Sequence, residues 1–378
     1  MKPSDSWKHL VPDHLRKLGP YTPGKPIKQA EKESGVACIK MASNENPFGP
    51  SPQALEAMHH AALESNLYPD NDATELRVQL ARRNGLEPDQ VLVTDGSTVL
   101  LDLIARTLLA PSLNAVTSAR SFIVYLIATR AAGGELIEVP MRGDSYDLDA
   151  IADAVNEDTR VVYLANPNNP TGTLFDAAAT RRFLDRVPQS VFVVIDEAYY
   201  DFATHFAKQR NVDYSHSLDY VREGRPVIVL RTFSKAHGLA GLRVGYGFGP
   251  PEILAYLERL RTAFSVSAVA EAAAIAALDD TEHIRKTLEN NDQGVQYLAE
   301  KLKGLGYQPV PTWANFIYFD VGGDAAALAK RIQAEGVIVR SLAPWGISTA
   351  IRVTVGTPEQ NQRFIAALAK ATDRATVQ

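Results

Sequence analysis

Short apolar runs alternate with amphipathic segments between about residue 90 and residue 250. The segments between the runs, such as TVLLDLIARTLL and FIVYLIATRAAGG, have the spacing of helices that cover a sheet. The apolar runs are typical of buried strands: VLVT (91–94), AVTS (115–118), ELIEVPM (135–141), RVVYLA (160–165), VFVVI (191–195), PVIVLRT (226–232) and LRVGYGFG (242–249). The pattern predicts an α/β fold with a mostly parallel sheet flanked by helices.

The two ends of the chain have a different pattern. Residues 1–40 are rich in Pro, Lys and Gly and are predicted to form an arm. Residues 41–265 are expected to form a large domain around the sheet, ending in a helical stretch that continues to residue 280. The strand-like NFIYFDV, VIVRSL and AIRVTVG and the helical AAALAKRIQAEG predict a smaller α+β domain over residues 266–378.

Composition narrows the function classes. A net charge of -5 argues against nucleic-acid binding, which usually needs a basic surplus. The single cysteine, Cys38, excludes an intramolecular disulfide and a cysteine-based metal site, and we predict no metal. Because the N-terminal segment has no apolar signal core and no run reaches the length of a membrane span, we expect a soluble cytoplasmic protein.

Polar side chains follow several of the predicted strands. Ligands of open α/β sheets bind at the carboxyl ends of the strands, so these positions are candidates for a site. DGST follows a strand and opens a helix, where free N–H groups and the hydroxyls of Ser97 and Thr98 favour an anion. A simple helix N-cap explains the same residues. The turn lacks the glycine spacings of dinucleotide and nucleoside-triphosphate sites.

Two further loops at strand ends carry candidate chemistry. NPNNPTG is a rigid turn that holds the amide of Asn169 at the sheet edge, where it is able to donate to a phenolate oxygen. IDEAYY places Asp196 directly after a buried strand, where its carboxylate is costly unless it meets a cation such as a protonated ring nitrogen. Tyr199 is expected to point the same way, whereas Glu197 is interpreted as a structural or solvated partner.

The stretch RTFSKAHGLAGLRVG (231–245) surrounds one lysine with hydroxyls, glycines and an arginine. A lysine that attacks a carbonyl must be unprotonated, and cationic neighbours such as Arg243 lower its pKa. Thr232 and Ser234 are placed to donate hydroxyls beside Lys235. A phosphate site, a partner for a pyridinium, a phenolate donor and an amine for an aldehyde together describe the surroundings of pyridoxal phosphate.

These motifs resemble the fold-type I pyridoxal-phosphate aminotransferases, and specifically the histidinol-phosphate aminotransferase family. The similarity covers almost the whole chain, from PYTPGKP, SNENPFGP, LYPD and DGS through NPNNPTGT, IDEAYYDF and RTFSKAHGLAGLRVGYG to VIVR and IRVTVGT. The resemblance implies a large domain with a mostly parallel seven-stranded sheet, a smaller α+β domain and an N-terminal arm that contributes to the small domain and the active site.

The resemblance also implies roles for single residues. Lys235 would form a covalent aldimine with pyridoxal 5'-phosphate and move the proton, while Asp196 pairs with the pyridine nitrogen. Asn169 and Tyr199 would bond the phenolate oxygen, and Phe122 would stack on the ring. The phosphate would be held by Gly96, Ser97, Thr98, Thr232, Ser234 and Arg243. Tyr68 would reach the phosphate from the second subunit of a homodimer. Tyr21, Arg340 and Arg352 would bind the substrate.

The implied reaction is transfer of an amino group from L-histidinol phosphate to 2-oxoglutarate, giving imidazole acetol phosphate and glutamate in histidine biosynthesis. Alternatives are an aromatic amino-acid aminotransferase acting on phenylalanine or tyrosine, a phosphothreonine-type decarboxylase, and a ligand-sensing module without catalysis. Intact Lys235, Asp196, Asn169 and Tyr199 argue against the last.

The chain departs from the family pattern at several positions: Thr98 and Val99, Arg120 and Ser121, His237 and Ser265. None of these changes removes a catalytic group. We interpret His237 as a packing or hydrogen-bonding residue, because Lys235 beside it is available as the base.

Overall fold

The computed structural model describes residues 7–19 and 24–372. Its strands are β1 (Ile39–Lys40), β2 (Val91–Thr94), β3 (Asn114–Ser118), β4 (Glu135–Val139), β5 (Thr159–Ala165), β6 (Phe192–Asp196), β7 (Val227–Thr232), β8 (Gly245–Phe248), β9 (Phe316–Asp320), β10 (Val337–Ile338), β11 (Arg340–Ser341) and β12 (Ala350–Thr354).

The helices lie between and after these strands. They are α1 (Asp13–Arg16), α2 (Ile27–Ser34), α3 (Pro52–Ala62), α4 (Thr74–Asn84), α5 (Ser97–Leu108), α6 (Val124–Ala131), α7 (Leu148–Ala154), α8 (Ala177–Arg186), α9 (Tyr200–Arg210), α10 (Ser217–Arg222), α11 (Pro251–Leu260), α12 (Ala268–Asp279), α13 (Thr281–Gly304), α14 (Ala325–Ala334) and α15 (Pro358–Ala371).

A seven-stranded sheet forms the centre, with the strand order β2-β8-β7-β6-β5-β3-β4. Strand β8 is antiparallel to both of its neighbours, and the other neighbouring strands are parallel. The expected mostly parallel, seven-stranded sheet is therefore confirmed. Its parallel strands end at one edge, which places their C-terminal loops together.

Both faces of the sheet are covered, as the nearly continuous apolar runs predict. Val161 and Tyr163 of β5 pack in one cluster with residues of α5 and α11. Val162 and Leu164, on the opposite face, pack with residues of α4, α8 and α12. Polar side chains start several of the covering helices; Asp176, for example, accepts a hydrogen bond of 2.7 Å from the N–H of Ala179 and caps α8.

A second apolar cluster lies in the C-terminal part of the chain. The antiparallel sheet β11-β12-β9 packs with α13, α14 and α15. Strand β1 of the N-terminal segment pairs in parallel with β10, and Met41 belongs to the same cluster. The N-terminal segment is thus attached to the smaller sheet region before the chain enters the larger one.

The structure refines three expectations. Helix α12 lies after the expected domain boundary near residue 266, yet it packs in the apolar cluster of the seven-stranded sheet. The boundary itself stays a prediction. The helical stretch after β8 is interrupted between α11 and α12, where Arg261 is bound to the backbone oxygen of Asn71 and to Asp72. VIVRSL forms two short strands that pair with different partners, β10 with β1 and β11 with β12. Among the described helices, none is both long and apolar enough to cross a bilayer.

Candidate active site

A cavity lies at the carboxyl ends of the parallel strands, and most of the predicted cofactor residues line it. They are Ser97, Thr98, Phe122, Asn169, Asp196, Tyr199, Thr232, Ser234, Lys235 and Arg243. Ser43 and Glu45 of the N-terminal segment complete part of the wall. Residues that are far apart in the sequence meet here because most of them end or follow a parallel strand of the same sheet. Arg243 comes just before β8, which runs antiparallel and therefore begins at the same edge.

One end of the cavity is built to hold an anion. Helix α5 begins at Ser97, and Gly96 before it has a φ of 115°, a conformation that favours glycine. A Cβ on Gly96 would collide with the guanidinium of Arg243. Arg243 Nη1 donates to Ser234 Oγ at 3.4 Å and to the Ala240 carbonyl at 2.9 Å. Free helix N–H groups, hydroxyls and a guanidinium therefore converge on one place.

Asp196 is a buried carboxylate at the end of β6. Its Oδ2 accepts a hydrogen bond of 2.8 Å from the hydroxyl of Tyr125, and its Oδ1 accepts one of 3.2 Å from the N–H of Ala198. Burial raises the pKa of Asp196 to about 6, against the lowering effect of the Tyr125 hydrogen bond. Both donors are neutral, so a ligand cation at this carboxylate would meet an unneutralised charge.

Lys235 lines the same cavity as Asp196. Its Nζ donates to the backbone oxygen of Ser43 at 3.2 Å. Burial and the positive charges of Arg352 and Arg243 lower the pKa of this amine to about 8, although the carboxylates of Glu45 and Asp196 act in the opposite direction. The amine is therefore far easier to deprotonate than an ordinary lysine, which is the condition for attack on a carbonyl.

Asn169 connects the cavity to the smaller sheet. Its Oδ1 accepts a hydrogen bond of 2.5 Å from Arg352 Nη1, so the Nδ2 group of the same amide is turned away from the arginine. Arg352 Nη2 also donates to the Ala42 carbonyl at 2.7 Å. Arg340 stands opposite Arg352 in the β11–β12 ladder, and its guanidinium lies 4.5 Å from the centre of the Trp345 ring. Two buried arginines thus lie on adjacent strands; neither is among the residues that line the cavity, and Arg352 contacts it through Asn169.

Two predicted tyrosines are placed differently. Tyr68 lies outside the cavity on the surface, with 84% of its area exposed, and its ring stacks on Phe264 at 4.8 Å. Tyr21 lies outside the described residues.

His237 does not line the cavity. Its ring is buried against Phe233, with 4.9 Å between the ring centres, and burial lowers its pKa. A neutral, enclosed imidazole of this kind suits packing rather than proton transfer at the cavity.

Some residues of the site were not identified from the sequence. Tyr125, the donor to Asp196, lies three residues after Phe122 and reads as part of an apolar helix. Its hydroxyl meets Asp196 because α6 packs against β3 and β4, and the Tyr125 ring stacks on Tyr163 of β5, the strand next to β6. Asn44 donates to the hydroxyl of Tyr199 at 2.8 Å, and the SNENP motif that contains it was the available signal. No group of His, Cys, Asp and Glu within the described ranges is arranged to hold a metal ion.

Comparison with known proteins agrees with this geometry. Residues 36–368 match the family model for aminotransferase class I and II. The chain is 45% identical over 364 residues to histidinol-phosphate aminotransferase 2 of Pseudomonas aeruginosa, covering 96% of this chain and 97% of the relative. It is 45% identical over 353 residues to histidinol-phosphate aminotransferase of Moorella thermoacetica, covering 93% and 90%.

Solved structures agree with the sequence relatives. The crystal structure of histidinol-phosphate aminotransferase from Sinorhizobium meliloti in complex with pyridoxal-5'-phosphate superimposes with a TM-score of 0.87. The two chains are 28% identical, and the match covers 96% of this chain and 97% of the other.

Proposed function

We propose that this chain, which belongs to the class I and II aminotransferase family, transfers the amino group of L-histidinol phosphate to 2-oxoglutarate. The products would be imidazole acetol phosphate and glutamate, as in histidine biosynthesis, and the cofactor would be pyridoxal 5'-phosphate. The observation that carries the proposal is one cavity that brings together a lysine amine with a pKa lowered to about 8, a buried carboxylate and an anion site.

The donor set fits pyridoxal phosphate. The N-terminus of α5, with Gly96, Ser97, Thr98, Thr232, Ser234 and Arg243, suits the phosphate group. Asp196 suits a protonated ring nitrogen, because its own donors are neutral. Asn169 has its oxygen occupied by Arg352, which leaves its N–H group for the phenolate oxygen, with Tyr199 as the second donor. Phe122 would cover one face of the ring, and Nζ of Lys235 would bond the aldehyde carbon.

The chain's own groups would then carry the proton transfers. When bound, the cofactor supplies an electron sink for the bonding pair released at the substrate Cα. Once the amine of the substrate has displaced it from the cofactor, Nζ of Lys235 would take the proton from Cα and deliver it to the C4′ carbon of the cofactor. Asp196 would keep the ring nitrogen protonated throughout, which maintains its electron-withdrawing character.

The arginines of the smaller sheet support a phosphorylated substrate. Arg340 and Arg352 stand opposite each other on β11 and β12, so their charges act together. Two guanidiniums suit a phosphate dianion better than a single carboxylate. The predicted contribution of Tyr21 belongs to the same subsite and stays a prediction.

A homodimer would complete the site. Tyr68 does not line the cavity of its own chain, and it projects from the surface together with exposed Leu63, Leu67 and Phe264. Apolar side chains that cluster on a surface are typical of an interface. In the proposed dimer this surface is covered by a second copy, and Tyr68 donates to the phosphate of its partner's cofactor.

A substrate competition tests the proposed function. Purified protein loaded with pyridoxal phosphate is given histidinol phosphate, phenylalanine or phosphothreonine, each with 2-oxoglutarate, and glutamate and carbon dioxide are measured. We expect glutamate to form fastest with histidinol phosphate. Faster glutamate formation with phenylalanine would contradict histidinol phosphate as the substrate. Carbon dioxide release from phosphothreonine would contradict amino transfer as the reaction. Arg340→Ala should slow the reaction of histidinol phosphate more than that of phenylalanine.

A further inference from the structure

The segment Ala42–Asn44 touches three separate parts of the candidate site with consecutive residues. The Ala42 carbonyl accepts from Arg352, and the Ser43 carbonyl accepts from Nζ of Lys235. The Asn44 side chain donates to the hydroxyl of Tyr199. The first two contacts use backbone atoms that any residue supplies, whereas the third depends on the asparagine side chain.

Asn44 has an unusual backbone for a contact residue. Its φ is 57°, a left-handed conformation that asparagine adopts more readily than most residues. The residue is buried, with 1% of its surface exposed, and its carbonyl accepts a hydrogen bond of 3.0 Å from Asn315 Nδ2. Such backbone conformations persist where the surroundings hold them, and they cluster at functional sites.

The orientation of the Asn44 amide is set by Thr354. Thr354 Oγ1 accepts from the Asn44 N–H at 2.9 Å and donates to Asn44 Oδ1 at 3.2 Å. Because the amide oxygen is engaged by Thr354, the Nδ2 group is the atom that faces Tyr199 at 2.8 Å. The amide is therefore a donor to the tyrosine hydroxyl and not an acceptor from it.

This direction determines where the proton of Tyr199 goes. A phenolic hydroxyl has one proton to donate, and an Asn44 donor occupies one of its acceptor positions. The proton of the hydroxyl is then available to an acceptor other than Asn44, and Tyr199 is among the residues that line the cavity. We infer that Asn44 is a positioning residue that fixes Tyr199 as a hydrogen-bond donor to the phenolate oxygen of the cofactor. The inference rests on the proposed function, in which Tyr199 faces that oxygen.

The arrangement also links the substrate side to the cofactor side. Thr354 ends β12, the strand that carries Arg352, and Asn315 precedes β9 in the same small sheet. Asn44 thus contacts the small sheet through its backbone and its oxygen, and the large sheet region through Tyr199. A displacement of the small sheet would be transmitted to the donor of the phenolate.

The test uses Asn44→Asp, which keeps the shape and replaces the donor by an acceptor. The new carboxylate would accept the Tyr199 proton, so the phenolate oxygen of the cofactor would lose its hydrogen-bond donor. Without that donor, the phenolate oxygen would hold the proton of the neighbouring Lys235–cofactor link more strongly. We expect the pH midpoint of the cofactor's absorption band to rise by about one unit. Binding of pyridoxal phosphate to each variant is measured by dialysis, and thermal unfolding of the cofactor-free proteins confirms that they fold.

A Tyr199→Phe background separates orientation from added charge. In that background Asn44→Asp keeps its charge but has no hydroxyl to orient, so its effect on the midpoint should be much smaller. An undiminished shift in the Tyr199→Phe background would overturn the inference.

A second variant keeps the test decisive if Asn44→Asp does not fold. Asn44→Gly suits the left-handed backbone and removes the amide without adding charge. We expect a smaller rise of the midpoint, absent in the Tyr199→Phe background; a midpoint equal to that of the unaltered protein refutes the role. Failure of the unaltered protein to bind pyridoxal phosphate would instead refute the proposed function. This outcome distinguishes failure of the proposed function from failure of the inference about Asn44.

Discussion

Two carboxylates follow each other at the end of β6 and lie in opposite environments. Glu197 is bound by a cation: its Oε2 is 2.9 Å from Arg231 Nη2, and its Oε1 accepts from Ser215 Oγ at 2.5 Å and Ser217 Oγ at 2.8 Å. Asp196 lines the cavity, and its hydrogen-bond donors among the described residues are neutral groups, the Tyr125 hydroxyl and the Ala198 N–H. Both residues are buried.

The two buried carboxylates differ in whether the protein supplies a counter-ion. The charges of Glu197 and Arg231 neutralise each other, and the Arg231 guanidinium also lies 3.4 Å from the centre of the Tyr200 ring. The Glu197 carboxylate therefore has its counter-ion within the protein. The raised pKa of Asp196 records a charge that the protein has only partly compensated. We therefore propose a structural role for Glu197 and a cofactor-binding role for Asp196, and four predictions test that division.

The largest effect is expected for Asp196→Asn. A neutral amide cannot hold the ring nitrogen protonated, so the rate of amino transfer should fall by about 10²–10³-fold or more. The single-turnover rate at saturating pyridoxal phosphate measures this. A rate within about tenfold of the unaltered protein would refute the role of Asp196.

Glu197→Gln should act on stability instead. The change leaves Arg231 buried without its counter-ion, which typically costs about 3–5 kcal/mol of unfolding free energy. Urea unfolding of the cofactor-free protein measures the loss. The double variant Glu197→Gln/Arg231→Met removes both charges and should recover part of it. A loss below about 1 kcal/mol would show that the pair is not structural.

The cofactor-free protein should show the Asp196 charge in its pH dependence. The folded pKa of Asp196, about 6, lies above the ordinary value, so the native state binds the extra proton between about pH 4 and pH 6. The contribution of this protonation to the free energy of unfolding is full at low pH and is lost as the pH rises through about 6. Relative to Asp196→Asn, the unaltered protein should lose ~2–3 kcal/mol of stability over this interval. A pH-independent difference between the two would contradict the raised pKa.

Tyr125→Phe should have the smallest effect. It removes one hydrogen bond to Asp196 and keeps the ring that stacks on Tyr163 at 4.9 Å. Because such a bond contributes about 1 kcal/mol, cofactor binding should weaken by about three- to tenfold. Tyr163→Phe is the matched control, since the hydrogen bonds to Asp196 come from Tyr125 and Ala198. Equal effects of the two variants would exclude a special role for Tyr125.

The sequence predicted which residues lie in the site better than it predicted the contacts that those residues make. Asp196 could be placed in the site because it follows a run of buried strand residues, and Lys235 because its flanking hydroxyls and glycines form a dense local motif. The strands themselves were found to within a few residues, since fully buried parallel strands appear as continuous apolar runs.

Contacts across the fold were not accessible in the same way. The Tyr125–Asp196 bond spans 71 positions and depends on how α6 packs against the sheet. The Asn44–Tyr199 bond spans 155 positions and depends on a left-handed backbone. The counter-ion of Glu197, Arg231, lies on the neighbouring strand β7, so its pairing required the register of the sheet.

The most direct test of the division between Asp196 and Glu197 is a nitrogen NMR measurement on the bound cofactor. Pyridoxal phosphate labelled with ¹⁵N in its ring is bound to the unaltered protein, Asp196→Asn and Glu197→Gln, and the ring-nitrogen chemical shift is recorded near pH 7.5. We predict a protonated nitrogen in the unaltered protein and in Glu197→Gln, and an unprotonated nitrogen in Asp196→Asn. The same shift in the unaltered protein and in Asp196→Asn would contradict the account.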